Sequence, residues 1–406
     1  MRRAIDFRTG ALLLLLLAAT TAAPARAQQR VAVLSEPGTP VVAIHVLVAT
    51  GPADEADGKA GLAYLSARAL TAPLRPALDS LGAHLAVDAQ KDAIAFSLIA
   101  APDAWEEASR ALLVALFRDP PDPEAVRRER IAIRQELLAR QANPADAVIR
   151  AMDAAFYGVD HPWSRSTVGD PASVTALNSA DVDAFLRANF TSDRTVVAVV
   201  GPVDAEAVRA HLREFMPLTG RLRFTPLPPH PVEEPVSEDY NSVTTWTAVS
   251  YGFPPDADLE ALRFVTQLAV DEISFSPSRQ DVYNARGDVI PRLGGGEVRL
   301  EVVTPPEEAR AWAKRIVTVV DQVADDRSIE PVFVSRLRRY RGERLRALSA
   351  PEDRARELAR RLLVTGTAGD PVTHLDDLTR ERLRDAVRSL TPPTTVFLGP
   401  VRNEGD

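Results

Sequence analysis

The chain has 406 residues, is 46% hydrophobic and carries a formal net charge of −8. That apolar fraction suffices for two ordinary cores and excludes intrinsic disorder, while the acidic balance argues against nucleic acid or anionic lipid as partners. There is no cysteine, which excludes a disulfide framework and a lipid anchor on Cys.

Residues 1–27 read as a secretory signal peptide. Arg2, Arg3 and Arg8 form a basic start, Ala11 to Thr20 a ten-residue apolar core, and Ala25-Arg26-Ala27 a small-residue cleavage site before Gln28. The core is too short to span a bilayer, though an uncleaved anchor is the alternative. Cleavage removes four Arg and one Asp and takes the charge to −11. No later stretch approaches the roughly 18 apolar residues of a membrane span. The mature chain is therefore expected to be exported, periplasmic or secreted, with no membrane span after cleavage.

The first half begins with a β-branched run, "VVAIHVLVATG" (41–51), that reads as a buried strand. "GLAYLSARAL" (61–70) follows a turn and starts an apolar helix. "AIAFSLIAAP" (93–102) is a second strand. "DAWEEASRALLVALFRD" places Asp103 and Glu106 in capping-box spacing ahead of a helix. The next helix has Asp122 at its cap and Pro123 at its first position, with Ile131, Ile133 and Leu137 expected on its apolar side. A polar-capped helix, "NSADVDAFLRANF", then precedes the closing strand "TVVAVVGPV" (195–203).

A Pro-rich stretch, "TPLPPHPVEEP" (225–235), suits an extended linker. Beyond it come a strand (243–253), a helix from about Leu259, a polar turn-rich segment (275–296) and a strand (297–308). Three charged amphipathic helices follow, including the Arg-rich 336–346, read as a solvated face. "LTRERLRDAVRSL" then precedes "TTVFLGPV" (394–401). The two halves end alike, which predicts a duplication with a period of about 198 residues. The expected fold is α+β: two similar domains, each a mixed β-sheet with helices packed on it. The domains are 28–220 and 239–406, joined by a Pro-rich linker at 221–238.

Taken in order, these segments resemble the pitrilysin/insulinase family of zinc metallopeptidases, the inverzincins. Family members carry Gly-x-Ala-His-x-x-Glu-His on a helix after the first strand. Here Gly51, Gly61 and Ala63 sit at family positions, but the motif reads Tyr64-Leu65-Ser66-Ala67-Arg68. The second family element, two acids seven residues apart on one helix face, is similar to Glu129 and Glu136. By that resemblance Glu136 stands for the third zinc ligand. "YGVDHPWSRSTVGD" (157–170) is similar to a third family segment. In the second half, "NARGDVI" keeps Arg286 and Gly287 of a substrate-holding Arg-Gly-x-x-Tyr segment, with Ile290 at the Tyr position.

The resemblance implies a lost active site. Zinc hydrolysis needs neutral imidazoles at i and i+4, a carboxylate ligand and a carboxylate base. Tyr64 and Arg68 occupy the imidazole positions and Ala67 the base position, so no metal and no catalytic residue is expected; zinc belongs to active relatives. His45, His84, His161, His211, His230 and His374 are too scattered to rebuild a site. His45 on its strand reads as a hydrogen-bonded structural His, and His161 before Pro162 as a loop-shaping one. Arg68 is expected to pair with Glu136 and link the two helices where zinc links them in relatives.

The resemblance implies half of a clamshell. Its expected role is the non-catalytic subunit that pairs with an active homologue around a peptide-binding chamber for peptides or unfolded protein. A stand-alone peptide- or envelope-protein-binding scaffold, or an active peptidase with a displaced site, is the alternative.

Overall fold

The computed structural model describes residues 28–140, 143–225, 227–275, 282–323, 332–373 and 375–402. The predicted signal segment, His374 and part of the turn-rich segment lie outside these residues.

Two five-stranded sheets organise the chain. The first has the order β1 (Val31–Ser35), β5 (Thr195–Gly201), β2 (Val42–Val48), β4 (Ile94–Ala100), β3 (His84–Ala89). The second has the order β6 (Val236–Glu238), β10 (Thr394–Leu398), β7 (Thr245–Phe253), β9 (Gly295–Thr304), β8 (Asn284–Arg292). In each, the first pair is parallel and the other three pairs are antiparallel. The same strand occupies the same place in both sheets, so the repeat seen at the ends of the halves extends through the whole topology. The expected α+β class with two mixed sheets is correct.

Thirteen helices are described: α1 (Leu62–Thr71), α2 (Arg75–Ser80), α3 (Trp105–Phe117), α4 (Pro123–Arg140), α5 (Pro144–Tyr157), α6 (Pro171–Ala176), α7 (Ser179–Asn189), α8 (Ala205–Arg213), α9 (Leu259–Phe275), α10 (Ala309–Val323), α11 (Phe333–Ala347), α12 (Pro351–Thr365) and α13 (Arg380–Arg388). Four of them lie between β9 and β10, the last of them, α13, in the "LTRERLRDAVRSL" segment.

All seven residues of β2 are buried, which a continuous apolar run predicts for a strand covered on both faces. Val42, Ile44, Val46 and Val48 share the main core of the first half with buried residues of α1, α3 and α7. The alternate residues Ala43 and Leu47, with Ala95, Ala198 and Val200, face the opposite way onto α12, a helix of the second half. Small residues on that face let the helix approach closely. Ala355, Leu358, Ala359, Leu362 and Leu363 of α12 recur at i, i+3, i+4, i+7 and i+8 and form the complementary stripe. Each buried Leu there contributes roughly 1.5–3 kcal/mol. Reciprocally, α5 of the first half lays Val148, Met152 and Phe156 on Ala248, Val396 and Leu398 of the second sheet. The halves thus exchange one helix each.

His45 on β2 sits under α12, and its Nδ1 is 2.9 Å from Ser97 Oγ. Burial, with Arg356 and Arg360 nearby, pushes its pKa down to about 3, so it is a neutral structural residue as expected.

Four local expectations are corrected. Asp103 does not cap α3: Ala104 holds the N-cap without a side-chain bond, because a turn closed by Ala104 N–H to Ala101 O delivers the chain into the helix. Ile131 is 53% exposed, since α4 turns Val126, Glu129 and Ile133 inward instead. The turn-rich segment contains β8, whose polar edge-strand pattern hides it and tolerates Pro291. The last residues of the predicted linker form β6, so the second sheet begins at Val236.

Candidate functional site

The site starts at the N-terminus of α1. Helix starts leave backbone N–H groups without partners. Here the Glu55 carboxyl accepts from Gly61 N (3.1 Å) and Ala63 N (2.8 Å), filling that role from a loop six to eight residues away. Gly61 (φ 89°) and Gly169 (φ 80°) cross in contact: a Cβ on Gly61 would lie 2.7 Å from Val168 O, and one on Gly169 2.5 Å from Ala60 O. Only glycine fits either position, so the 157–170 segment is clamped against the helix start.

Burial pushes the Glu55 carboxyl up to about 7, against the two backbone donors that pull it down. The folded chain therefore holds this proton more tightly than the unfolded chain. Stability is fully present below about pH 4.5 and falls as pH rises to about 7. Glu55→Gln is expected to remove that slope. Urea unfolding at pH 5 and pH 7.5 should show a difference up to about 3 kcal/mol larger in the parent than in the variant.

Tyr64 and Arg68 are one helical turn apart on the only half-exposed strip of α1; Ala67 is fully buried among its core residues. Facing them, α4 presents Glu129 (side chain 8% exposed) and Glu136 (48%). The Arg68 guanidinium joins all three groups. Its Nε donates to Glu129 Oε2 at 2.8 Å and Nη2 lies 2.6 Å from the same oxygen. Nη1 donates to the Tyr64 hydroxyl at 2.9 Å and reaches Glu136 at 3.3 Å. Arg75 adds a weaker contact to Glu129 at 3.7 Å. Burial works against the Arg68 charge, but the Tyr64 hydroxyl and the two carboxylates outweigh it and hold the guanidinium above its ordinary value.

The expected link from α1 to α4 through Arg68 is present, but its principal anchor is Glu129 rather than Glu136. The reason is burial: the inward acid can be held on a fixed guanidinium, while the outward one is half in solvent. These residues do not fit zinc. A permanent cation and a phenol stand at the positions where imidazoles would be, and an alanine methyl where the base would be. Among the described residues no group of three His, Cys, Asp or Glu is placed to hold a metal.

A separate cavity of about 530 Å³ is lined by Leu137, the residue after Glu136, but by none of the four residues of this cluster. Its walls are Asp88 and Ala89 at the end of edge strand β3, Leu137 of α4, α5 and the 164–171 segment. Arg286 lies on β8, the edge strand that stands in the second sheet where β3 stands in the first, and is tied across the ladder to Glu301 (Nε to Oε2 2.8 Å). His161 accepts from Trp163 N and shapes its loop, as expected.

Sequence reasoning missed two features. One is Glu55. The other is a buried polar network between the halves. Lys91 Nζ lies 2.8 Å from Asp153, which also accepts from Arg299 at 2.8 Å; Arg299 in turn holds Glu297, and Tyr157 bridges Arg292 and Glu297. Asp92 pairs with Arg360 of α12 at 2.9 Å. The rarity of lysine was the one signal that could have pointed to Lys91.

Comparison with known proteins gives the following. No family profile matches the chain. It is 35% identical over 86 residues to uncharacterized zinc proteases of Mycobacterium bovis and Mycobacterium tuberculosis, and 36% to one of Mycobacterium leprae. The matched segment covers 21% of this chain and 19% of the mycobacterial proteins, about a fifth of their length. Solved structures match nearly throughout. A peptidase M16 inactive domain from Pseudomonas fluorescens superposes with a TM-score of 0.77 at 17% identity, over 92% of this chain and 96% of that one. A protease from Helicobacter pylori gives 0.73 at 16% identity, over 92% and 98%. A chain of complex III2 from Candida albicans gives 0.73 at 12% identity, over 91% and 93%. At such identities the structures establish the fold, and the mycobacterial segment carries the sequence relation. The chain thus has the fold of the peptidase M16 inactive domain and resembles the mycobacterial zinc proteases over one segment, with Tyr64, Ala67 and Arg68 at the positions compared above with the His-x-x-Glu-His motif.

Proposed function

We propose that this protein is an exported, non-catalytic homologue of the pitrilysin-type zinc peptidases that pairs with an active homologue and supplies half the wall of a peptide-binding chamber. One observation carries the reading: the Arg68 guanidinium, ion-paired to Glu129 and bonded to Tyr64, occupies the junction of α1 and α4 with a fixed positive charge. That charge does the joining a metal would do, and it can neither activate water nor accept a proton. The cavity beside β3 suits an extended peptide, because an edge strand offers unpaired backbone groups for an added strand. Export is supported by the basic start, short apolar core and Ala25-Arg26-Ala27.

The test has two parts. The chain from Gln28, dialysed against micromolar zinc and gel-filtered, is expected to retain close to no zinc by elemental mass spectrometry. About one zinc per chain, lost in Glu136→Gln, would establish a displaced metal site instead. Co-expressed with a homologue carrying an intact motif, it is expected to elute as a one-to-one complex with peptidase activity dependent on both chains. Elution of separate chains, with peptide binding kept by this one, would favour the stand-alone scaffold.

A further inference from the structure

The Pro-rich stretch is tied down where it passes the end of α5. Residues 227–232 form a strap there: His230 N donates to Tyr157 O at 3.2 Å, and Val232 N donates to Ala155 O at 2.8 Å. Leu227 packs on the apolar cluster that α5 makes with the second sheet. It also belongs to the walls of two cavities between the halves, of about 170 Å³ and 310 Å³.

Under the strap lies a second histidine. The His230 and His161 rings meet at a steep angle, with centroids 6.2 Å apart and planes at 70°. His161 is 8% exposed, stacks on Tyr157 at 5.4 Å and meets Trp163 at 5.7 Å. Its Nδ1 accepts from Trp163 N at 3.0 Å. A ring nitrogen that accepts carries no proton, so this imidazole is neutral with its hydrogen on Nε2. A second proton has to go on Nδ1, where it points at the Trp163 N–H. Protonation and this loop geometry therefore exclude each other.

The surroundings offer the charged ring no help. Tyr157 on α5 has its hydroxyl engaged by Arg292 and Glu297. Lys91 is a cation already paired with Asp153 at 2.8 Å. His230 on the strap adds a like charge when it is protonated. Burial first, then His230 and Lys91, hold the His161 imidazole below its ordinary value, while the Pro228 carbonyl of the strap works the other way.

We propose that His161 and His230 form an acid-released latch on this strap. With both rings neutral, the strap lies closed on the end of α5. As acid protonates them, the Trp163 N–H loses its acceptor and two like charges face each other. Residues 227–232 then lift away, which wets His161 and opens the cavities that Leu227 walls. The closed form holds the His161 proton less tightly than the open form. Closure is thus complete above the ordinary imidazole value of about 6.5 and weakens as pH falls below it. One proton taken up on opening raises the opening equilibrium by up to about tenfold per pH unit in that range. The latch is independent of the peptide-chamber reading and of any partner.

The experiment is hydrogen exchange of the mature chain at the His230 and Val232 amides, corrected for the intrinsic effect of pH. Their protection is expected to fall by about tenfold or more from pH 7.5 to pH 5, with amides of β5 and β10 little changed. His161→Asn keeps an acceptor for Trp163 N but takes no proton, and is expected to abolish the fall. His230→Asn removes the facing charge at an exposed position and is expected to reduce it. An NMR titration of the His161 ring in the parent gives a second reading, and its midpoint should coincide with the loss of protection. The proposal is overturned if protection in the parent is the same at both pH values, if the fall persists at full size in either variant, or if it occurs while the His161 ring stays neutral.

Discussion

Glu129→Ala is expected to lower the unfolding free energy by about 3–5 kcal/mol, the usual consequence of stripping one partner from a buried ion pair. The Arg68 guanidinium would stay between α1 and α4 with its side chain 14% exposed, and Glu136 at 3.3 Å and half in solvent cannot replace the lost carboxylate. Glu136→Ala is the internal control and should cost less than about 1 kcal/mol, in the range of exposed pairs. Arg68→Leu combined with Glu129→Leu should recover most of the loss, since removing both charges leaves none uncompensated. Urea denaturation at pH 7 measures all three. Equal losses for Glu129→Ala and Glu136→Ala would show that the outer acid carries the link after all.

A second large effect is expected at the seam between the halves. Asp153 is a single carboxylate holding two buried cations, Lys91 and Arg299. Burial raises the cost of its charge, but Lys91 and Arg299 overcome it and hold the carboxyl below its ordinary value. The stabilisation is therefore complete at neutral pH and is lost as pH falls below the usual aspartate range of about 3.9. Asp153→Ala should cost about 3–5 kcal/mol at pH 7, because Glu297 alone then faces both Arg292 and Arg299 while Lys91 has no carboxylate. It should also raise the rate at which a protease cuts the native chain, as the halves separate more often. A loss below about 1 kcal/mol would mean that water reaches and screens these charges.

Much of this architecture can be read from the residues. The matching "VVGPV" and "FLGPV" ends announce two related halves, and continuous apolar runs identify β2, β4 and β5 as strands buried on both faces. The site is legible in part: i, i+4 spacing puts Tyr64 and Arg68 on one strip of α1, and seven-residue spacing puts Glu129 and Glu136 on one strip of α4. What spacing cannot tell is depth. Glu129 and Glu136 look equivalent in the sequence, and only their different burial in the folded chain makes one an anchor and the other a surface acid. Glu55 is invisible because a loop acid six to eight residues ahead of the N–H groups it caps falls outside the spacing of a capping box. β8 is hidden because an edge strand buries too little to show alternation. The exchange of α5 and α12 is likewise unreadable: an apolar stripe says that a helix will cover something, not which sheet.

That exchange has a consequence for how the chain comes off the ribosome. The first sheet is complete once Gly201 has emerged, yet the face bearing Ala43, Leu47, Ala198 and Val200 has no cover until α12 appears about 150 residues later. At roughly 5–20 residues per second the nascent protein carries a bare, sticky sheet for about 8–30 seconds. Neither half can finish alone, so a construction that ends at the Pro-rich stretch should aggregate, while the full-length chain closes both sheets in one late docking event.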